Sequence, residues 1–274
     1  MTNWQATLAH YLPLKKAPLV HCITNEITNE LLANGLLFVG AKPIMAEDIR
    51  EFPDLFKSTD GVLLNMGRMS VAREEALVEA SKLANNLAKK AVVVDIVGAA
   101  ATPLRFDLAH RLAKQQPSVL KGNISELRAF CGLASAGRGV DGSASDQEDA
   151  AITELIQALQ QQDSEITYLA TGKKDIVVKG EQVWLLENGV PELDCFTGTG
   201  DLVGALIAAF LGAGYEAVEA TILGVSYLNC CGERAKEKLV PTVGLADFRH
   251  ETLNQLSLLS QEVTWSQQVK GRKR

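Results

Sequence analysis

Gly61-Val62-Leu63-Leu64-Asn65 and Ala91-Val92-Val93-Val94-Asp95, with a helix-like pattern over residues 72–89 between them, form the stretch that decides the fold. Each run is apolar up to a polar last residue, which fits a strand covered on both faces rather than one alternating between core and water. Two such strands joined by a helix make a right-handed crossover, and hence a parallel sheet. The same unit extends outward. Leu19-Val20-His21-Cys22-Ile23 precedes a helical pattern over 26–39, and a helical pattern over 104–114 leads into Ser118-Val119-Leu120-Lys121 and another helix over 124–131. This alternation predicts an α/β fold built on a mostly parallel sheet.

Beyond a polar stretch at 135–147, the pattern predicts a helix over 148–161 and strands over 166–170, 175–179 and 182–186. The short separator Lys179-Gly180-Glu181 joins the last two as an antiparallel hairpin at the sheet edge. Three helices follow, over about 200–213, 215–237 and 246–259. Three helices and a hairpin would make a poor independent core, so residues 1–274 are expected to form a single domain.

Composition removes other classes. A chain of 274 residues with 47% hydrophobic and 22% charged residues can bury a large core and is neither fibrous nor disordered. Its net charge of -6 supplies no general attraction for nucleic acid or an anionic membrane, so an anionic ligand needs a local site. The apolar stretch 202–215 is too short to span a bilayer. An odd set of five cysteines without a CxxC pair, and a start without a basic, apolar leader, predict reduced thiols in a cytoplasmic protein. Lys270, Arg272, Lys273 and Arg274 crowd the C-terminus and read as a frayed, solvated tail over about 265–274.

The strongest chemical signal is Phe196-Thr197-Gly198-Thr199-Gly200-Asp201, followed at once by an apolar helix. A glycine-rich turn opening a helix directs unpaired N–H groups and the positive end of the helix dipole at one spot, which binds phosphate oxygens. Asp201 beside that spot would repel an anion, but it could accept the proton of an attacking hydroxyl. Offsetting the helix dipole explains the same carboxylate equally well.

Other polar groups leave strands toward loops. Asp95 ends an apolar strand, at the carboxyl edge where open α/β sheets bind ligands. Asn123-Ile124-Ser125-Glu126 places an amide and a carboxylate on one helical turn, suited to a hydrated Mg²⁺, although a capping box accounts for it more simply. Thr171-Gly172, His21-Cys22-Ile23-Thr24-Asn25 and Pro43-Ile44-Met45 also follow strands. Each is ordinary alone, His21, Cys22 and Met45 as core residues and Thr171-Gly172 as a loop; together they point to a nucleotide and small-molecule site.

Together with Ala33-Asn34-Gly35-Leu36-Leu37, Asn65-Met66-Gly67 and Thr197-Gly198-Thr199-Gly200, these motifs run in an order that resembles the hydroxyethylthiazole kinases of the ribokinase-like superfamily, over about residues 15–260. The resemblance implies a three-layer α/β/α domain that phosphorylates 5-(2-hydroxyethyl)-4-methylthiazole with MgATP in thiamine biosynthesis or salvage, as a trimer with interfacial sites. It implies that Asn25, Met45, Gly67 and Gly198 contact the thiazole, and that Lys121, Thr171, Asn123 and the Gly198, Thr199 and Gly200 turn meet the nucleotide. Asp95 and Glu126 would organise Mg²⁺ and phosphate through water. Asp201 stands where these kinases commonly carry Cys, and matches the base of the wider superfamily. Ile96 replaces a usual Pro, Arg68 a small polar residue, and Lys121 an Arg. The competing readings are a hydroxymethylpyrimidine-type kinase, a nucleotide-dependent hydrate dehydratase and a non-catalytic binding relative; intact Asp201, Glu126 and Asp95 argue against the last.

Overall fold

The computed structural model describes residues 8, 10–87, 91–134, 148–239, 244–262 and 264–274, so the polar stretch 135–147 lies outside the described residues. The strands are β1 (Leu19–Ile23), β2 (Lys42–Ile44), β3 (Gly61–Asn65), β4 (Val92–Asp95), β5 (Val119–Asn123), β6 (Thr167–Thr171), β7 (Asp175–Lys179), β8 (Gln182–Leu186) and β9 (Gly271–Lys273). The helices are α1 (Asn29–Phe38), α2 (Phe52–Leu55), α3 (Val71–Ala84), α4 (Pro103–Ala113), α5 (Ile124–Phe130), α6 (Asp149–Gln160), α7 (Thr199–Gly212), α8 (Ala217–Lys238) and α9 (Leu245–Leu258).

All nine strands join one sheet in the order β2-β1-β3-β4-β5-β6-β7-β8-β9. Pairing is parallel from β2 through β6 and antiparallel from β6 through β9, with β7 and β8 forming the expected hairpin. Alternate residues serve opposite faces. Cys22, Leu63, Val93 and Leu169 pack with α1, α7, α8 and α9, whereas Val62, Leu64, Val94 and Tyr168 pack with α3 to α6. Helices on both faces explain why the strands are continuously apolar. Helix α7 is apolar on all sides and buried from Asp201 to Leu211. It approaches β3 so closely that a Cβ on Gly61 would lie 2.2 Å from the Ala208 carbonyl oxygen.

Local sequence sets the helix starts. Ser70 accepts from Arg73 N–H at the start of α3, and Thr102 accepts from Arg105 N–H before Pro103 opens α4. The pattern from residue 26 becomes helical only at Asn29, because Asn25 Oδ1 accepts the Thr28 N–H at 3.1 Å and makes a turn first.

The basic C-terminus departs from expectation. It is not a frayed tail: β9 pairs with β8, Trp265 is fully buried with its ring edge-on to Tyr227, and Lys273 sits over the Trp184 ring at 4.9 Å. The edge of β8 offers unpaired main-chain groups, and Trp265 and Val269 anchor the segment that covers them. Charge density hid this apolar anchor. Among the described residues no helix is long and apolar enough to cross a membrane.

Candidate active site

Strands β1 and β3 are neighbours whose outgoing connections run in opposite directions, β1 to β2 and β3 to β4, and ligand crevices open at such a switch point beyond the strands' carboxyl ends. A cavity of about 1250 Å³ opens there. The exits of β1, β3, β4, β5 and β6 bring Asn25, Gly67, Asp95, Asn123 and Thr171 to its wall, and the start of α7 brings Gly198, Thr199, Gly200 and Asp201. Lys121 and Glu126 also line it. Met45 does not; it follows β2 and packs half-buried against the core.

Gly198 adopts φ +100°, a left-handed conformation that favours glycine, and a Cβ there would meet Leu31 Cδ2 at 2.6 Å. No side chain caps α7, and its first bond runs from Leu202 N–H to the Gly198 carbonyl, so the amides of Thr199, Gly200 and Asp201 precede the intrahelical ladder. Asp201 is oriented from three directions. Its Oδ2 accepts from Asn25 Nδ2 at 2.8 Å and from Thr28 Oγ1 at 2.7 Å, and its Oδ1 accepts from Asn65 Nδ2 at 3.0 Å.

The same Asn65 amide donates to Asp95 Oδ2 at 3.1 Å, which also receives Lys121 Nζ at 2.7 Å. Asp95 and Lys121 are 1% and 2% exposed, so neither charge could stay buried without the other. Burial pushes the Asp95 carboxyl above the usual carboxylate range; Lys121 opposes this and the Asp201 charge adds to it. Glu126 spends one oxygen on Gly98 N–H at 2.6 Å and the other on Asn123 N–H at 2.7 Å, while Asn123 Oδ1 accepts Glu126 N–H at 2.8 Å. That reciprocal pair is a capping box, the simpler of the two readings of Asn123-x-x-Glu126. Burial, and next the Asp95 charge, push the Glu126 carboxyl up to about 7.

Several residues given no site role by the sequence reading order the site. Thr28 and Asn65 orient Asp201, and Asn65 carries the same signal as Asp95, a polar residue ending an apolar strand. Arg105 ties the exits of β3 and β4 by donating to the carbonyls of Met66, Gly67 at 3.1 Å and Val97 at 2.8 Å; nothing in the sequence marks it. Asp175 accepts from Gly172 N–H at 3.0 Å, and burial pushes its carboxyl up to about 7. Ile96 is fully buried core, and Arg68 pairs with Glu26 at the cavity wall.

Such a site combines an uncapped helix start with an oriented carboxylate, the parts a phosphate-transfer site requires. The sequence model of the hydroxyethylthiazole kinase family matches residues 14–262. A protein named hydroxyethylthiazole kinase from Enterococcus faecalis is 56% identical over 95% of both chains. The solved structure of hydroxyethylthiazole kinase from Pyrococcus horikoshii superposes with TM-score 0.83 at 28% identity, covering 100% of both chains. A ribokinase-like superfamily protein from Enterococcus faecalis shares the fold at TM-score 0.61 and 12% identity, over 94% of both chains. The chain therefore has a ribokinase-like α/β/α fold and belongs to the hydroxyethylthiazole kinase family.

Proposed function

We propose that this protein transfers the γ-phosphoryl group of ATP to the hydroxyl of 5-(2-hydroxyethyl)-4-methylthiazole, in thiamine biosynthesis or salvage, with Asp201 as general base. The observation that carries the reading is the position of Asp201: a carboxylate fixed by Asn25, Thr28 and Asn65, on the first turn of an uncapped helix that lines the cavity. The alcohol oxygen attacks the γ-phosphorus, the bond to ADP breaks, and the hydroxyl proton passes to Asp201. The amides of Thr199, Gly200 and Asp201 stabilise charge on the phosphoryl group in flight. Asn25, Gly67 and Gly198 hold the alcohol; Lys121, Asn123 and Thr171 lie toward the nucleotide.

The residues fit Mg²⁺ only as a hydrated ion. Among the described residues no three acidic, histidine or cysteine side chains converge as ligands, and Glu126 is occupied by main-chain donors. Asp95 Oδ1, however, is a buried acceptor without a hydrogen-bond partner, which supports a water-mediated ion held with phosphate by Asp95 and Glu126. Bound there, Mg²⁺ would screen phosphate charge.

On this reading residues 1–274 act as one domain, supported by the single sheet, and assemble as a homotrimer. Met45 lies outside the chain's own cavity and Ile27 is 81% exposed at its rim, which supports a pocket completed by a neighbouring copy. Sedimentation equilibrium checks the trimer. Five free thiols support a reducing, cytoplasmic setting. The test of function is purified protein with MgATP and the thiazole alcohol, read by product mass. A phosphorylated thiazole and ADP are expected; a phosphorylated hydroxymethylpyrimidine formed in preference reassigns the substrate, and ADP without a phosphorylated organic product removes the kinase reading.

A further inference from the structure

A second polar network starts at the cavity wall and runs away from the reacting groups to the C-terminus. Asp175, at the start of β7, is 3% exposed; one carboxylate oxygen accepts Gly172 N–H at 3.0 Å, and the other accepts Asn229 Nδ2 at 2.7 Å. Asn229 Nδ2 also donates to the Asn188 carbonyl at 2.9 Å. The Asn188 side chain, 4% exposed, accepts Lys270 N–H at 2.6 Å and donates to the Gln268 carbonyl at 2.9 Å and to Glu233 at 3.0 Å. Glu187 N–H donates to the Lys270 carbonyl at 2.9 Å, and β9 follows at once. Thr171, Gly172, Asp175 and Asn229 line the cavity, whereas Asn188, Gln268 and Lys270 do not.

We propose that residues 268–273 are a positioning element which, through Asn188, Asn229 and Asp175, fixes the Thr171–Gly172 turn and thereby sets affinity for the nucleotide. The inference rests on the reading of Thr171 as part of the ATP site. The sheet holds Thr171 through its place opposite Asn123 in the β5–β6 ladder, and of the two side-chain bonds at the turn the Gly172 N–H to Asp175 bond, at 3.0 Å, is shorter than that of the Thr171 hydroxyl to the Gly122 carbonyl, at 3.4 Å. Both side-chain polar atoms of Asn188, and its carbonyl, are spent on this network, so loosening the C-terminal segment propagates to Asn229, and from there to Asp175.

Three full-length variants and one measurement on the unaltered chain test this. Lys270→Pro removes the N–H that Asn188 accepts, at a site whose preceding residue, Val269, already has the extended ψ of 118° that proline requires. Lys270→Pro, which loses one buried hydrogen bond, should raise the KM for MgATP about fivefold, and Asn188→Ala, which loses all three side-chain bonds of Asn188, at least as much, with kcat and the KM for the alcohol unchanged in both. Lys270→Ala keeps the N–H and loses only an exposed ion pair to Glu233, so it should match the unaltered protein. In the unaltered protein, MgADP should slow amide hydrogen exchange at 171–172 and also at 187–189 and 268–273. Protection at 171–172 alone, or folded Lys270→Pro protein with an unchanged KM for MgATP, overturns the inference and leaves the nucleotide reading intact. No protection at 171–172 removes the nucleotide reading and this inference with it.

Discussion

The side-chain amide of Asn65 lies 3.0 Å from Asp201 Oδ1, although 136 residues separate the two along the chain. Because the same nitrogen also reaches Asp95 Oδ2, it sits between two carboxylates and keeps them from meeting without an intervening donor. This shared amide links Asn25 and Asp201 on one side to the Asp95–Lys121 ion pair on the other. The Asp201 carboxylate and the Asp95–Lys121 ion pair are thus held in register by one neutral side chain.

Asp201→Asn removes the proposed proton acceptor while leaving the amides of α7 in place. The kcat should fall by about 10²- to 10⁴-fold, the usual contribution of a positioned general base, with the Kd for MgADP unchanged. Turnover near that of the unaltered protein would take Asp201 out of the base's role.

Lys121→Met leaves Asp95 as an unpaired buried carboxylate. Urea denaturation should report a loss of about 3–5 kcal/mol, and adding Asp95→Asn should recover part of it, since the second change removes the orphaned charge. Strict additivity of the two losses would mean that the 2.7 Å ion pair carries no coupling.

Gly198→Ala forces a Cβ into a left-handed backbone position and within 2.7 Å of Thr28 Cγ2. The strain should cost about 1–3 kcal/mol of stability, and displacement of Thr28, a donor to Asp201, should lower kcat. An alanine variant with unchanged melting temperature and kcat would show that the turn does not require glycine.

Asp175 imposes a pH dependence whose sign follows from its raised value of about 7, against 3.8 for an ordinary aspartate. Between these values the folded chain holds a proton that the unfolded chain has released, so stability contributed by this site falls as pH rises through the window, by at most about 1.4 kcal/mol per pH unit. The stability of the unaltered protein relative to Asp175→Asn should therefore decline from pH 4 to pH 7, measured by denaturant titration. A difference that stays flat, or rises, contradicts the raised carboxyl.

Much of the fold was legible because it depends on local chemistry. Runs such as Gly61–Asn65 are apolar on both faces and admit little other than central strands, and the hairpin between β7 and β8 follows from Lys179-Gly180-Glu181. Asp201 was legible for the same reason, since the glycine turn, the helix start and the carboxylate are sequence neighbours. The C-terminal segment was misread because four basic residues outweighed Trp265 and Val269, whose packing partners lie in α8 and β8.

By itself, then, the sequence determined a parallel α/β sheet with polar groups at the carboxyl ends of its strands, and a glycine-rich helix start carrying Asp201, because periodicity, turn chemistry and helix termini are short-range properties. Only the tertiary structure decided which groups meet: Asn65 between Asp95 and Asp201, Lys121 against Asp95, Arg105 across two strand exits, Met45 outside the cavity, and the basic terminus paired as β9. Those contacts join residues far apart in the chain, and their geometry is set by strand order and by how closely α7 packs on the sheet.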